Sequence, residues 1–103
     1  MGNLGYGFTP THPGEVLKDE VEYRGISQSK LAAQMGISYK VVNDILNERR
    51  PLTTTTAMIF EAAIGVPADA LMRMQLKYNM QLARQDKTFA QRLAEIRKIA
   101  AVL

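Results

Sequence analysis

The stretch QSKLAAQMGISYKVVNDILNERR, residues 28–50, constrains the fold of this chain more than any other part of the sequence. It contains two runs with apolar residues at helical spacing, and Gly36 lies between them. Glycine adopts the left-handed conformation that ends many helices at the lowest steric cost. Ser38 then supplies a hydroxyl of the kind that accepts a hydrogen bond from the first turn of a helix. The stretch therefore predicts two short helices joined by a tight turn.

Residue size within this stretch indicates how the two helices cross. Ala32 is small where the helices would approach most closely, and Ile37 would fill the space between them. Val42 and Ile45 lie at helical spacing and would hold the second helix against the first. This combination predicts a helix-turn-helix, a motif whose second helix enters the major groove of DNA. A generic pair of packed helices is the alternative.

Glycine and proline divide the rest of the chain into further helical segments, and no segment alternates apolar and polar residues over the length of a strand. Pro13 suits the first turn of a helix that Gly25 would end, and Pro51 would end the second helix of the motif. The sequence predicts an all-α fold of five or six helices. The expected divisions are a flexible arm over 1–11, a helix-turn-helix domain over 12–84 and an amphipathic helix for dimerisation or partner contact over 85–103.

Polar side chains on the second helix of the motif are expected to point away from its buried face. Lys40 can donate to guanine O6 or N7, Asn43 can form a bidentate pair with adenine, and Tyr39 can contact a thymine methyl group or a phosphate. Helix N-termini favour phosphate, and amide or basic side chains after the helix would contact the DNA backbone. The predicted DNA-binding residues are Gln28, Ser38, Tyr39, Lys40, Asn43, Asn47, Arg49 and Arg50.

Charged residues in two parts of the chain leave alternatives open. Asp44 would read cytosine or be a solvated carboxylate that disfavours wrong DNA sites. Arg49 and Arg50 would contact phosphate or only interact with the negative end of a helix dipole. Seven of the 13 Lys and Arg residues follow residue 72, together with two of the 10 acidic residues. This basic segment predicts either a solvated helical face or contacts to phosphate or to an acidic partner.

The C-terminal third has more apolar surface than one small core needs. Two apolar stripes run side by side between residues 71 and 82, and apolar residues recur at spacings of three and four from 89 to 103. One stripe would fill the core, and the other, with the last helix, would contact a second subunit. Ordinary core filling, docking on the same domain and binding of another protein are the alternatives. The predicted dimer or partner residues are Met72, Leu76, Met80, Phe89, Leu93 and Ile96.

Composition argues against several functional classes. The chain has no cysteine, which excludes disulfides, thiolate metal sites and cysteine nucleophiles. Its single histidine, His12, is predicted to cap a helix or pack, and no metal-ligand cluster accompanies it. We therefore predict neither catalysis nor a cofactor or metal. No apolar run approaches the ~20 residues that span a bilayer, and the first residues do not read as a signal peptide, so we expect a cytoplasmic protein.

Four stretches resemble the HigA/VapI-type antitoxins, a branch of the Xre-like, lambda-repressor-like helix-turn-helix group. They are HPGE at 12–15, the helix-turn-helix at 28–46, NERRPLT at 47–53 and LMRMQLKYNM at 71–80. The resemblance extends over residues 11–82. Glu48 stands where the family has glycine, and this departure predicts a longer turn after the second helix of the motif.

The resemblance also implies a function and partners. It implies a homodimer that binds a palindromic operator in double-stranded DNA, neutralises a HigB-type ribonuclease toxin and represses its own operon. No membrane partner is implied, and the alternative is a stand-alone Xre-family transcriptional regulator without a toxin. The positions that match DNA-facing positions of the family are Gln28, Ser38, Tyr39, Lys40, Asn43, Asn47 and Arg49.

Overall fold

Six α-helices make up the part of the chain that the computed structural model describes, residues 11–103. No strand occurs within that part, so the all-α prediction is confirmed. The predicted arm lies outside the described residues apart from Thr11. None of the helices in the described part is long and apolar enough to span a membrane. The helices are α1 (Pro13–Arg24), α2 (Gln28–Met35), α3 (Tyr39–Leu46), α4 (Thr54–Ile64), α5 (Ala68–Gln85) and α6 (Lys87–Ala100).

The helix-turn-helix is formed by α2 and α3, and local capping sets its boundaries. The Ser27 hydroxyl accepts a hydrogen bond from the Lys30 N–H, and the Ser38 hydroxyl accepts one from the Val41 N–H, each at 3.1 Å. Gly36 ends α2 with φ of 70°, which is the left-handed conformation that glycine adopts without strain. The predicted turn between the two helices is therefore confirmed.

The predicted end of α3 at Pro51 is wrong, because the helix already ends at Leu46. The Arg49 N–H donates to the Asp44 carbonyl at 2.8 Å, and the Glu48 N–H donates to the Ile45 carbonyl at 3.0 Å. These two bonds form a common helix ending, in which the residue that donates the shorter-range bond has the left-handed conformation. Glu48 takes that position with φ of 63°. The longer turn expected from the loss of glycine is therefore not found.

The core lies between α1, α2, α3, α4 and α5. Phe60 of α4 and Leu17 of α1 are fully buried, and α4 packs on both α2 and α5. Among the described residues, α6 contributes nothing to this core, and its main contact is with α5. The buried hydrophobic residues are Leu17, Val21, Leu31, Ala32, Met35, Val42, Ile45, Leu46, Leu52, Ala57, Phe60, Ile64, Ala68 and Leu71.

The first turn of α1 lies directly against the end of α3. Gly14 is buried there, and a Cβ added to it would overlap the Ile45 carbonyl oxygen. The His12 side chain caps α1, because its Nδ1 accepts a hydrogen bond from the Gly14 N–H at 2.8 Å. This confirms the capping role predicted for His12. The close contact fixes the position of α3 relative to the rest of the domain.

The C-terminal surface is the set of six residues predicted to meet a partner, on α5 and α6. Met72 is half-buried against the core and Leu93 is half-buried on α6. The exposed fractions of Leu76 and Ile96 are 61% and 49%. The C-terminal surface consists of Met72, Leu76, Met80, Phe89, Leu93 and Ile96.

Candidate nucleic-acid interface

The N-terminal end of α2 lies against the middle of α3, and both helices present polar side chains to solvent. Tyr39 has 52% of its surface exposed, and the Lys40 side chain has 78%. Gln28 at the start of α2 and Asn43 in the middle of α3 are half-buried. The structure therefore brings residues from both helices of the motif onto one surface. A groove-facing helix needs an arrangement of this kind.

A chain of side-chain hydrogen bonds orients the amides on this surface. Asn43 Nδ2 donates to Gln28 Oε1 at 2.9 Å, and Arg49 Nη2 donates to Asn43 Oδ1 at 2.6 Å. A guanidinium group can only donate, so the amide oxygen of Asn43 must be the atom that faces Arg49. The first bond uses one of the two N–H donors of the Asn43 amide, and the second uses one of the two lone pairs of its oxygen. Asn43 therefore keeps one donor and one acceptor free, which is the pair that the major-groove edge of adenine requires.

Asp44 lies beneath three of the basic side chains at this surface. Its side chain is only 11% exposed, and its carboxylate oxygens lie 3.2 Å from Lys40 Nζ, 3.2 Å from Arg49 Nη2 and 3.4 Å from Arg50 Nη2. The Lys40 hydrogen bond is the largest cause of the lowered pKa of Asp44, and the bonds from Arg49 and Arg50 act in the same direction against the effect of burial. The carboxylate is therefore ionised at neutral pH.

This environment corrects the interpretation of Asp44. Neither a cytosine contact nor a solvated carboxylate fits a side chain that is covered by its own cationic neighbours. The early end of α3 is the reason, because it turns Arg49 and Arg50 back onto the helix. Arg49 and Arg50 both donate hydrogen bonds to the Asp44 carboxylate. Their interaction with α3 is therefore more specific than attraction to the helix dipole alone.

Asn47 connects the candidate interface to α1. Its Nδ2 donates to the Asn43 carbonyl at 2.9 Å, and its Oδ1 accepts from Lys18 Nζ at 3.4 Å. Lys18 was not among the predicted site residues. No pattern within residues 28–50 indicates it, because only tertiary packing brings α1 to the end of α3. Lys18 adds a further cation beside the surface.

The loop that follows α3 is supported from behind by buried polar residues. The His12 ring packs edge-on against Tyr78, with ring centroids 4.9 Å apart. Burial lowers the pKa of His12, and the Glu48 charge and the Arg50 backbone carbonyl oppose this shift. Gln75, which sequence analysis did not single out, accepts from the Leu52 N–H through Oε1 at 2.8 Å. The loop is thus fixed to both α1 and α5.

The side chains at this surface have a chemistry suited to nucleic acid. Within residues 11–103, no group of three or more His, Cys, Asp or Glu residues could hold a metal ion. The groups brought together are amides, a hydroxyl and three cations around one carboxylate. They can donate to and accept from base edges and neutralise phosphate.

Comparison with known proteins identifies the family. The helix-turn-helix family model matches residues 17–71, which is more than half of the chain. Virulence-associated protein I of Dichelobacter nodosus is 35% identical over 77 residues, covering 74% of this chain and 71% of that protein. The chain is a helix-turn-helix protein of the HigA/VapI type. The resemblance drawn from the four sequence stretches is therefore confirmed.

Solved structures agree with this helix-turn-helix assignment. An addiction module antidote protein of the HigA family from Coxiella burnetii is 27% identical, with a TM-score of 0.72 over 85% of this chain and 95% of that one. The antitoxin HigA of Pseudomonas aeruginosa, solved with the higBA promoter, is 31% identical, with a TM-score of 0.69 over 84% of this chain and 90% of that one. The similarity extends well beyond the helix-turn-helix in both cases.

Proposed function

We propose that this protein is a DNA-binding antitoxin that, as a homodimer, binds a palindromic operator and represses its own operon. The observation that carries the proposal is the oriented Gln28–Asn43–Arg49 hydrogen-bond chain on the exposed side of α3. Oriented donors and acceptors distinguish base edges, whereas a merely basic surface would bind any DNA. The HigA of Pseudomonas aeruginosa was solved with promoter DNA, which supports a similar role here.

Each polar group has a proposed role in this interface. Asn43 pairs with adenine, Lys40 donates to guanine, and Tyr39 contacts a thymine methyl group or a phosphate. The remaining residues contact the DNA backbone, from helix N-termini or from the loop after α3. These backbone contacts come from Gln28, Ser38, Asn47, Arg49 and Arg50.

Selection of binding sites from a random pool of duplexes tests DNA recognition. We expect the wild-type protein to enrich one palindromic sequence with half-sites about 34 Å apart, one turn of the double helix. Affinity for that duplex should fall steeply with salt, because phosphate contacts release counterions. Enrichment of no sequence would contradict the proposal, and so would affinity that is independent of salt.

Dimerisation is assigned to the C-terminal surface, and DNA binding to residues 12–84. One α3 covers few base pairs, whereas two in a fixed arrangement read both half-sites. Helix α6 is amphipathic and has no buried residue, so its apolar side is available to a second copy. We assign residues 85–103 to that contact, together with the α5 side chains of the C-terminal surface.

Two charges on α6 should disrupt the proposed dimer without affecting the core. The double variant Phe89→Asp/Ile96→Asp should be monomeric by light scattering and bind the enriched duplex about 100-fold more weakly, because the two half-sites are no longer linked. Gln91→Asp adds one such charge at an exposed polar position of α6 and should remain a dimer. A double variant with unchanged mass and affinity would refute this assignment.

The antitoxin part of the proposal rests on the relatives. The Coxiella burnetii protein is described as an addiction module antidote of the HigA family, and the similarity covers most of both chains. We infer that the partner is a HigB-type ribonuclease. Co-purification with such a ribonuclease and rescue of growth from its toxicity would support the inference. Binding to the operator without either result would instead identify a stand-alone regulator.

A further inference from the structure

One carboxylate, that of Asp44, holds the cations next to the proposed base-contacting residue. We propose that Asp44 is a positioning residue for DNA recognition: through Arg49 it fixes the orientation of the Asn43 amide, and it restrains the surrounding cations from binding random DNA. The inference rests on the proposed function of the α3 surface. It assigns a role to a side chain that need not contact DNA itself.

Arg49 is held by Asp44 and transmits that position to Asn43. The Arg49 N–H donates to the Asp44 carbonyl at 2.8 Å, and Arg49 Nε donates to Asp44 Oδ1 at 3.2 Å. Arg49 Nη2 lies 3.2 Å from the same Asp44 oxygen and donates to Asn43 Oδ1 at 2.6 Å. Because the guanidinium is planar and rigid, holding Nε and Nη2 against Asp44 also determines where Nη2 meets Asn43.

The orientation of the Asn43 amide depends on this contact. Both Asn43 and Gln28 carry amides, so the bond between them could form equally well with both amides turned over. Turning Asn43 over would exchange its free donor and acceptor and remove the pattern that matches adenine. Arg49 can only donate, so among the contacts of Asn43 it is the one that excludes the reversed arrangement.

Asp44 also reduces the positive charge of the surface. Lys40, Arg49 and Arg50 carry three positive charges, and Asp44 lies within 3.4 Å of each. Non-specific DNA binding depends on cations that neutralise phosphates. Replacing the carboxylate with a neutral amide would free these cations for phosphate on any sequence. The loss of orientation and the gain of free charge both decrease discrimination between sequences.

The test compares affinity for two duplexes, the one enriched by the wild-type protein and a shuffled duplex of the same composition. Asp44→Asn should lower the ratio of the two affinities about ten-fold, because side chains that it ordered must now be ordered on binding. Its affinity for the shuffled duplex should increase, and that affinity should fall more steeply with salt concentration than the wild-type affinity does. Glu22→Gln, an exposed acid on α1 with the same charge change, should keep the wild-type ratio within about two-fold.

A second variant separates orientation from charge and from folding. Arg49→Met leaves Asp44 paired with Lys40 and Arg50 and should lower the affinity ratio about as much as Asp44→Asn. Because Asp44 acts through Arg49, adding Asp44→Asn to Arg49→Met should lower the ratio by less than the product of the two single effects. The melting temperature of each variant gives its stability independently of DNA binding.

A wild-type affinity ratio in Asp44→Asn or in Arg49→Met would overturn this inference and leave the proposed function standing. An equal loss on both duplexes together with a lower melting temperature is one form of that result, because it leaves the ratio unchanged and is what a purely structural role predicts. Failure of the wild-type protein to enrich any sequence would overturn the proposed function, and the inference with it.

Discussion

Replacing Gly14 with alanine should destabilise the fold by about 3 kcal/mol, the upper range for forcing extra volume into a packed site. The added methyl group would overlap the Ile45 carbonyl oxygen and come within 3.0 Å of His12 Nδ1. A backbone carbonyl cannot rotate away as a flexible side chain can, so α1 and α3 would have to separate. The hydrogen bond that caps α1 through His12 would be strained at the same time.

Whether Gly14→Ala lowers or raises stability shows which effect dominates, the close contact with Ile45 or helix propensity. Alanine is favoured over glycine within a helix by about 1 kcal/mol, so propensity alone predicts a more stable protein. Urea unfolding of Gly14→Ala measures the difference. The control is Ser29→Ala on the exposed side of α2, which should change stability by less than about 0.5 kcal/mol. Unchanged or increased stability of Gly14→Ala would mean that α1 does not pack on α3 as described.

Replacing Asn43 with alanine should weaken binding to the enriched duplex by on the order of 100-fold, because a lost base contact costs about 1–3 kcal/mol and a dimer loses two of them. The variant also leaves Gln28 and Arg49 without the amide that joins them. Binding to a shuffled duplex should change little, because Asn43 is proposed to contact a base and not phosphate. Fluorescence anisotropy with both duplexes measures the two affinities.

Gln34→Ala is the matched control for the Asn43 variant. It removes an exposed amide near the other end of α2, away from the Gln28–Asn43 pair. We expect it to bind both duplexes with wild-type affinity. An equal loss on both duplexes for Asn43→Ala would exclude a base-reading role for Asn43.

The features that could be predicted from the sequence are those that nearby residues determine. Ser27 and Ser38 each cap a helix by accepting a hydrogen bond from the backbone N–H three residues later in the chain. Gly36 ends α2 through its own backbone conformation. Interactions between residues this close in the chain can be recognised from short sequence patterns. The helix-turn-helix and its exposed polar residues could therefore be located before the structure was known.

Other features depend on tertiary contacts that no local pattern specifies. The burial of Asp44 follows from the fold-back of the loop after α3, and Glu48 adopts φ of 63° there although glycine is the usual residue. Lys18 and Gln75 come from α1 and α5 and meet this region only in the folded domain. Helical periodicity likewise predicts which face of α6 is apolar, but it does not specify what covers that face.

The ratio of wild-type affinities for the enriched and the shuffled duplex, measured at about 150 mM salt, tests the central claim most directly. If oriented side chains on α3 read bases, this ratio should be about 10³ or more, as for other specific DNA-binding proteins, and it should be lower in Asn43→Ala. A ratio near one at every salt concentration would contradict the account, because it would mean that the surface binds DNA through charge alone.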